Sequence, residues 1–376
     1  MKKLSLVMFC LALCLPAGTA LAMPDNSAKA VCLIHQDTGE VLYSQNADER
    51  MLIASTTKVM TALIAIENCN PEEEVTIPLE CTLVEGSSMY LRAGEIYTVA
   101  DLLYGLMLVS GNDAALALAW HVGGGVEGFA EMMNDKAAEL GLRNSSFRNP
   151  HGLDAEWHYS SAADLAVIMR AAMEHELFRE VTGSRSRHIK GQTYINHNKL
   201  LWKYEGVTGG KTGYTKAAGR SLISSAERGN LRLICVTIGD PDDWDDHEDL
   251  YDWAFDNYDY VSVLEPGELT RIPVISGETG TVGVAPFSGL SLLVEKGQIP
   301  ELRVELPRFV FAGVYNGSYA GRAVVRLGDD EEIIGLYYSE TVGLDMRVKL
   351  SGWERFLRFL RVMPTVKFYG AQGVPV

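Results

Sequence analysis

Within residues 28–240, hydrophobic and polar positions alternate at both ends and follow a helical period between them. Residues 28–44 alternate around the turn Asp37-Thr38-Gly39, which predicts a hairpin, and residues 194–240 return to strand character. From 55 to 67, apolar side chains form one face behind a Ser/Thr-rich start suited to capping. Further helices are predicted at about 99–121, 126–140 and 161–175. The pattern predicts an α/β (α+β) domain over residues 23–262, with an antiparallel sheet formed from both chain ends around a helical cluster.

The helical period disappears near residue 265, where short strand-like runs separated by Gly-containing turns begin. The turn Leu327-Gly328-Asp329-Asp330 lies between the strand-like runs 322–326 and 333–338 and predicts a hairpin. Residues 263–350 are therefore predicted to form a separate, small, β-sandwich-like domain.

The first 22 residues have the three parts of a secretory signal. Met1-Lys2-Lys3 is charged, residues 4–15 are apolar, and Thr19-Ala20-Leu21-Ala22 supplies small residues for cleavage. We expect cleavage after Ala22 and export of the remaining chain. A retained anchor helix is the alternative, but the apolar run is shorter than the ~20 residues that span a bilayer.

Residues 351–376 contrast with the acidic body of the protein, since the stretch 347–367 contains six basic residues and one acid, Glu354. Five apolar side chains recur there at helical spacing and three arginines fall away from that stripe. The apolar set is Trp353, Phe356, Leu357, Leu360 and Met363, and the basic set is Arg355, Arg358 and Arg361. Such a pattern is typical of an interfacial membrane helix, here ending at Pro364, although a helix packed on its own domain shares it. We predict a peripheral protein on the outer face of the cytoplasmic membrane.

Charge and cysteine content narrow the classes of partner. Lys and Arg total 33 against 49 Asp and Glu, and the formal net charge of −16 disfavours a nucleic-acid partner. Neither C-x-x-C nor H-E-x-x-H occurs, so we expect no cofactor and no metal. Cys32 and Cys235 lie in apolar strand-like runs and are predicted to be buried. Cys69 and Cys81, 12 residues apart, could form a disulfide after export or could be buried as free thiols.

The first candidate for chemistry is Ser55-Thr56-Thr57-Lys58. A hydroxyl and an amine at positions i and i+3 of a helix share one face, near the positive end of the helix. Lysine can remove the serine proton if burial or a second cation lowers the pKa of its amine. The spacing alone is weak support, because an exposed cap serine and a solvated lysine give the same pattern.

Two further motifs follow along the chain. Ser110-Gly111-Asn112 comes after an apolar helix, where the hydroxyl could relay a proton and the amide could hold a substrate carbonyl. Lys211-Thr212-Gly213 lies in a predicted strand, where Lys and Thr could bind a carboxylate and Gly213 would leave room for the substrate. Each motif is weak on its own, and their order along the chain supplies the specificity.

In the order S-x-x-K, S-x-N and K-T-G, the three motifs resemble the active-site signature of penicillin-binding proteins and serine β-lactamases. The resemblance narrows to the low-molecular-weight D-alanyl-D-alanine carboxypeptidases of peptidase family S11. Supporting stretches lie at 37–43, 54–63, 85–91, 149–153, 158–164 and 209–219, and the resemblance covers essentially the whole mature chain. It implies the penicillin-binding fold, peptidoglycan pentapeptide stems as substrates, and binding of β-lactam antibiotics.

The resemblance also implies a role for each motif residue. The implied catalytic set is Ser55, Lys58, Ser110 and Asn112, and the implied substrate-binding set is Lys211, Thr212, Gly213 and Tyr214. Ser55 would be the acyl-ester nucleophile, with Lys58 as its general base and Lys211 as the cation that keeps that base neutral. Ser110 would relay a proton toward the leaving D-alanine, and Asn112 would orient the peptide. Backbone N–H groups of Ser55 and Tyr214 would form the oxyanion hole.

One segment departs from the family pattern. Some better-known relatives have an arginine near residues 239–249 that binds the terminal carboxylate, whereas this chain has seven acids there. We interpret the segment as the N-terminus of a helix, which the macrodipole favours, with a divalent metal held by His247 and neighbouring carboxylates as the alternative. His151 and His158 are predicted to serve packing or loop hydrogen bonds, because no G-x-S-x-G motif exists to pair with them.

The leading hypothesis is a serine D-Ala-D-Ala carboxypeptidase that removes the terminal D-alanine of peptidoglycan stem peptides through a Ser55 acyl-enzyme. A D,D-endopeptidase acting on cross-links differs from it only in the leaving group. A serine β-lactamase would use the same fold but would need a deacylating residue. A non-catalytic wall-binding module is disfavoured, since the motif residues are intact.

Overall fold

The computed structural model describes residues 24–345, Gly352 and Phe356, and the backbone of 365–370. The predicted signal, residues 1–22, and most of the predicted tail, 351–376, lie outside the described residues. Within the described part of the chain, no helix is long and apolar enough to cross a membrane.

The described elements follow the chain in three groups. The helices are α1 (Lys58–Asn68), α2 (Val99–Leu108), α3 (Asn112–Gly123), α4 (Val126–Glu139), α5 (Ala162–Met173), α6 (Glu176–Gly183), α7 (Leu200–Lys203) and α8 (Asp243–Asn257). The strands before α8 are β1 (Ala30–His35), β2 (Val41–Gln45), β3 (Glu74–Thr76), β4 (Ile96–Thr98), β5 (Ser186–Ile189), β6 (Gln192–Ile195), β7 (Val207–Thr215), β8 (Gly219–Arg228) and β9 (Leu231–Ile238). The strands after α8 are β10 (Tyr258–Leu264), β11 (Thr270–Ile275), β12 (Thr281–Pro286), β13 (Leu290–Glu295), β14 (Glu301–Pro307), β15 (Val310–Phe311), β16 (Tyr319–Leu327), β17 (Asp330–Tyr338) and β18 (Thr365–Gly370).

A five-stranded antiparallel sheet joins the two ends of the first domain, in the order β2-β1-β9-β8-β7. One face packs on the helical cluster through side chains such as Cys32 and Ile34, and the other packs on α8 through Leu33 and Cys235. The predicted α/β arrangement is therefore confirmed. The predicted alternation is not seen in β1, which is buried along its whole length because α8 covers its second face; in β2, Leu42 is buried and the other residues are exposed or half-buried.

The helical cluster differs from the prediction at one functional point. The segment predicted as one helix over 99–121 is two helices, α2 and α3, because the chain turns sharply at Ser110, whose φ is 61°. Gly124, with φ 68°, ends α3 in the left-handed conformation that suits glycine. The glycine-rich stretch Gly123-Gly124-Gly125 therefore forms the turn that ends this helix.

The strands after α8 form a second β region. Six of them, with β18, make a seven-stranded sheet in the order β15-β11-β12-β17-β16-β14-β18, while β10 pairs with β13. The hairpin predicted around Gly328 is confirmed, since Leu327 of β16 pairs with Asp330 of β17. Strand structure begins at Tyr258, directly after α8 and before the predicted boundary at 263. Strand β18 pairs with β14, so 365–370 belong to this sheet although they fall within the predicted tail.

The four described cysteines are free thiols. Cys32 and Cys235 are buried as predicted, and burial raises the pKa of Cys32 to about 12. Cys81 packs in the helical core, and Cys69 lies at the end of α1, half-buried. The structure therefore has the free-thiol alternative and not the Cys69–Cys81 disulfide.

Candidate active site

Ser55 lies in a tight 3-10 turn, Ala54–Thr57, immediately before α1. The predicted helix over 55–67 therefore begins later, at Lys58, but side chains three apart also align in a 3-10 turn. The hydroxyls of Thr56 and Thr57 donate to the carbonyls of Ile53 (2.6 Å) and Ala54 (2.9 Å) and brace the turn.

The amine of Lys58 is fully buried and has three oxygen partners. Its Nζ lies 2.9 Å from Ser55 Oγ, 2.7 Å from Asn112 Oδ1 and 2.6 Å from the carbonyl of His151. Burial lowers the pKa of Lys58 well below its usual value, and the charge of Lys211 lowers it further. A neutral amine has two N–H donors and one lone pair. Because the two carbonyl oxygens can only accept, they occupy both donors, and the lone pair is left for the Ser55 hydroxyl.

The second motif places Ser110 beside Ser55 and Asn112 beside Lys58. Asn112 opens α3, and its Nδ2 donates to the carbonyl of Glu85 (2.7 Å) while Oδ1 accepts from Lys58. Its backbone N–H also donates to the carbonyl of Ser87 (2.7 Å). Ser110, with its left-handed backbone, faces the cleft beside Ser55.

The third motif lies on β7, the edge strand next to the Ser55 turn. Lys211 is buried, donates to the carbonyl of Thr212 (2.7 Å), and has a pKa that burial lowers to about 7. A Cβ on Gly213 would lie 3.1 Å from the Ile53 carbonyl oxygen and 3.2 Å from the Ser55 nitrogen. A Cβ there would require the backbone near Ser55 to shift by a few tenths of an ångström, and glycine allows the close approach without that shift.

All three motifs border one cleft of about 450 Å³. Its lining comprises Ser55, Ser87, Ser110, His197, Thr212, Gly213, Tyr214, Arg220, Asp243 and Trp244. Lys58, Lys211 and Asn112 lie behind this surface and are buried. The eight residues that the sequence predicted for the site are thus brought together in space.

Arg220 is a cleft residue that the sequence did not reveal. It is the second residue of β8 and pairs with Tyr214 of β7. Its guanidinium forms an ion pair with Asp243 and lies 5.6 Å from the ring centre of Trp244. Asp243 and Trp244 come from the acid-rich segment, so part of that segment lines the cleft. Register pairing between β7 and β8 places the arginine there, and no local sequence pattern marks it.

Asp113 supports the second motif from behind. Its buried carboxylate accepts from the backbone N–H groups of Met89 and Leu91 (3.0 Å each) and from the hydroxyl of Ser88 (2.6 Å). These bonds hold the loop 85–91, whose carbonyls in turn fix Asn112. The sequence signal that could have indicated this supporting role is the position of Asp113 directly after the S-x-N motif.

The three histidines considered from the sequence have structural partners. His158 Nδ1 accepts from the Arg148 N–H (3.0 Å), which leaves Nε2 to donate to Thr57 Oγ1 (2.9 Å). His151 Nδ1 accepts from the Leu153 N–H (3.1 Å). His247 is buried, with its ring nitrogens 2.7 and 3.1 Å from the hydroxyls of Ser224 and Thr237. Those hydroxyl contacts give no support to a metal at His247, and the acid-rich segment does form the start of α8 as interpreted.

Comparison with known proteins matches this arrangement to one family. The D-alanyl-D-alanine carboxypeptidase family, peptidase S11, matches residues 17–242, which include every motif residue named above. The chain belongs to peptidase family S11. The predicted family and enzyme class are confirmed, and the protein is a serine D-alanyl-D-alanine carboxypeptidase.

Individual S11 relatives cover most of the chain. It is 32% identical to the D-alanyl-D-alanine carboxypeptidase DacF of Bacillus subtilis, with 89% of each chain covered. It is 37% identical to DacB2 of Mycobacterium tuberculosis over 64% of this chain and 86% of that protein. The structure of penicillin-binding protein 5 from Haemophilus influenzae superposes with a TM-score of 0.69 at 30% identity, covering 85% of this chain and 99% of the other. The second, β-rich region is therefore shared with at least some S11 relatives.

Gly152 offers a direct test of how the Ser55 turn is held. Its φ is +86°, and a Cβ there would lie 1.9 Å from the Ala54 carbonyl oxygen and 2.8 Å from Thr57 Oγ1. We expect Gly152→Ala to displace the turn and slow acylation by benzylpenicillin at least ~10-fold, equivalent to ~1.4 kcal/mol of barrier.

Gly141→Ala is the matched control, because Gly141 has φ +72° with nothing within 4 Å of its added Cβ. It should show only the backbone strain, roughly 1–2 kcal/mol of unfolding free energy, and acylate at the wild-type rate. Equal acylation rates for the two variants, measured by stopped-flow fluorescence or intact mass, would show that the position of the Ser55 turn does not depend on Gly152.

Proposed function

We propose that Ser55 is the acyl-ester nucleophile and Lys58 its general base. The observation that carries this is the contact set of Lys58: a buried amine of lowered pKa whose remaining partner, after two carbonyl acceptors, is the Ser55 hydroxyl. Geometry and proton affinity thus agree on the direction of transfer.

Acylation then proceeds with balanced protons. Lys58 takes the Ser55 proton as Oγ bonds to the carbonyl carbon of the penultimate D-alanine, and the C–N bond to the terminal D-alanine breaks. The proton now on Lys58 passes through Ser110, which faces the same cleft, to the leaving amine, and Lys58 becomes neutral again. The backbone N–H groups of Ser55 and Tyr214 receive the oxyanion, and the closeness of Gly213 to the Ser55 nitrogen supports that pairing. Water then attacks the ester carbonyl and gives a proton to neutral Lys58, which passes it to Ser55 Oγ as the ester bond breaks and the shortened peptide acid leaves.

Substrate recognition uses the positive side of the cleft. Lys211 and Thr212 contact the terminal carboxylate of the stem peptide, and Asn112 orients the peptide. Arg220 adds a second cation on the same wall, which compensates for the missing arginine in the acid-rich segment. β-Lactams carry a carboxylate and a strained amide in comparable positions, so the same groups bind them. The relatives named carboxypeptidases favour this reaction over cross-link cleavage or antibiotic hydrolysis.

The primary test is Ser55→Ala, followed by intact mass with benzylpenicillin and peptide mapping of the adduct. We expect wild type to hold a lasting adduct on the Ser55 peptide and to release D-alanine from a pentapeptide, and the variant to do neither. The variant should keep its melting temperature, because Ser55 is half-buried at the cleft surface and the change removes one hydroxyl.

Other outcomes of this test distinguish the alternatives. Persistent acylation of Ser55→Ala would contradict the nucleophile assignment. Rapid turnover of the drug by wild type would indicate a β-lactamase, and activity confined to cross-linked dimers would indicate an endopeptidase.

The pH profile tests the charge relation between the two lysines. Acylation requires neutral Lys58, so its rate rises as pH increases through the lowered pKa of that amine. It falls again as Lys211, with a pKa of about 7 in the empty site, loses its proton. Lys211→Met removes a charge that lowers the pKa of Lys58, and we expect the acid limb of the profile to move to higher pH.

Lys216→Met is the control for that shift, since it removes an exposed charge from the same hairpin. It should leave the acid limb unchanged. If the acid limb of the Lys211→Met profile stays at the wild-type pH, Lys211 does not set the protonation state of Lys58.

The protein is proposed to act outside the cytoplasm, held at the membrane surface by residues 351–364. The charged and apolar signal at 1–22 and the substrate of the S11 family support the compartment. The stripe of apolar residues with arginines beside it supports surface binding. Strand β18 follows this segment, so a simple truncation would also remove a sheet strand.

A charge-reversal variant avoids that problem and tests the anchor. Changing Arg355, Arg358 and Arg361 to Glu should abolish co-sedimentation with vesicles containing anionic lipid and leave D-alanine release intact, because repulsion replaces attraction near the surface. A control with the same change in net charge reverses three exposed lysines of the body: Lys29, Lys216 and Lys296. Equal vesicle binding by the two variants would contradict the anchor.

A further inference from the structure

Cys69, Glu73 and His121 form a cluster on the side of the helical domain opposite the catalytic ends of α1 and α3. Cys69 follows the last residue of α1, Glu73 precedes β3, and His121 lies in the last turn of α3. One donor atom from each side chain lies within 4.8 Å of the other two. No local sequence pattern indicates this cluster, because β3, β4 and α2 lie between residues 69 and 121.

The local backbone holds these side chains in place. Glu73 Oε1 is 2.9 Å from His121 Nε2, and its other oxygen faces the N–H of Asn70 (3.4 Å). The Glu73 N–H donates to the Asn70 carbonyl (3.0 Å), and its carbonyl accepts from Val99 (2.9 Å). The cluster is therefore built on a hydrogen-bonded turn and two helix ends.

We propose that Cys69 Sγ, Glu73 and His121 Nε2 bind one zinc ion, with water as the fourth ligand. Zinc takes sulfur, nitrogen and oxygen donors tetrahedrally, at about 2.3, 2.0–2.1 and 2.0–2.2 Å. Those bond lengths need donors roughly 3.3–3.6 Å apart, so the side chains have to move by only about 1 Å or less from their present spacing. A thiolate and an imidazole select zinc over calcium or magnesium, which prefer oxygen ligands.

Binding would release a proton and join two elements of the catalytic domain. Zinc binds cysteine as the thiolate, so the metal displaces the thiol proton of Cys69 to solvent. α1 and α3 begin at Lys58 and Asn112 and end at this cluster. Zinc therefore ties the far ends of these two helices and stabilises the fold without touching the reacting atoms.

The test measures zinc at Cys69 directly in the purified protein. Cobalt substituted for zinc should give a thiolate-to-metal charge-transfer band at one equivalent per chain. Zinc at 100 times its Kd should slow alkylation of Cys69, mapped by peptide mass spectrometry, about 100-fold. Cys69→Ser and His121→Gln should each weaken zinc binding at least ~10-fold and remove the zinc-dependent rise in melting temperature.

His175→Gln is the matched control. His175 Nε2 lies 3.9 Å from Glu67 Oε1, so it is another surface His–Glu pair, but the described residues place no thiol in a ligand cluster with it. This variant should bind zinc like wild type. The proposal is overturned if cobalt gives no charge-transfer band, if zinc leaves Cys69 alkylation unchanged, or if Cys69→Ser binds zinc normally. Penicillin acylation, followed separately, should be unaffected in all variants, so failure here is distinct from failure of the catalytic assignment.

Discussion

The side chain of Lys58 carries its amine into a region that solvent does not reach, where an ammonium ion loses hydration worth several kcal/mol. Among the residues that the structure describes, no carboxylate is a direct partner of Nζ, whose partners are oxygens of Ser55, Asn112 and His151. A second buried cation, Lys211, raises the cost of charging it further. The neutral amine is thus the favoured form, and the surrounding elements are arranged so that its lone pair meets one hydroxyl.

That arrangement needs chain segments far apart in sequence. The carbonyl of His151 belongs to the loop between α4 and α5, and Asn112 is the first residue of α3. Lys211 lies much later in the chain, on β7. The sheet order explains how they meet: β7 is the edge strand beside the Ser55 turn, and glycine at position 213 lets the two backbones touch. Each motif lies on or beside one of these elements. The order of the three motifs along the chain is therefore characteristic of the family.

Local patterns predicted the elements and the motif residues, while their boundaries and supports depended on tertiary packing. The apolar stripe located α1, but the 3-10 turn before it follows from bracing by Thr56, Thr57 and the Gly152 loop. β1 has both faces buried because α8 packs on the second face, a contact that no local periodicity encodes. Arg220 reached the cleft through strand register, and Cys69 met His121 through the packing of α1 on α3.

The backbone on either side of the cleft, at Ala54 and Ser110, adopts conformations that non-glycine residues disfavour. Ala54 and Ser110 both adopt positive φ, at 47° and 61°, and left-handed backbone costs a non-glycine residue roughly 1–2 kcal/mol. Two buried lysines add to that cost. These conformations persist because packing of the surrounding helical core and the hydrogen bonds of Asp113 and Thr57 stabilise them by more than the backbone strain costs. Stability gained in the core is therefore what holds Ser55 and Lys58 in their relative positions, and loosening of that core should affect acylation before the fold is lost.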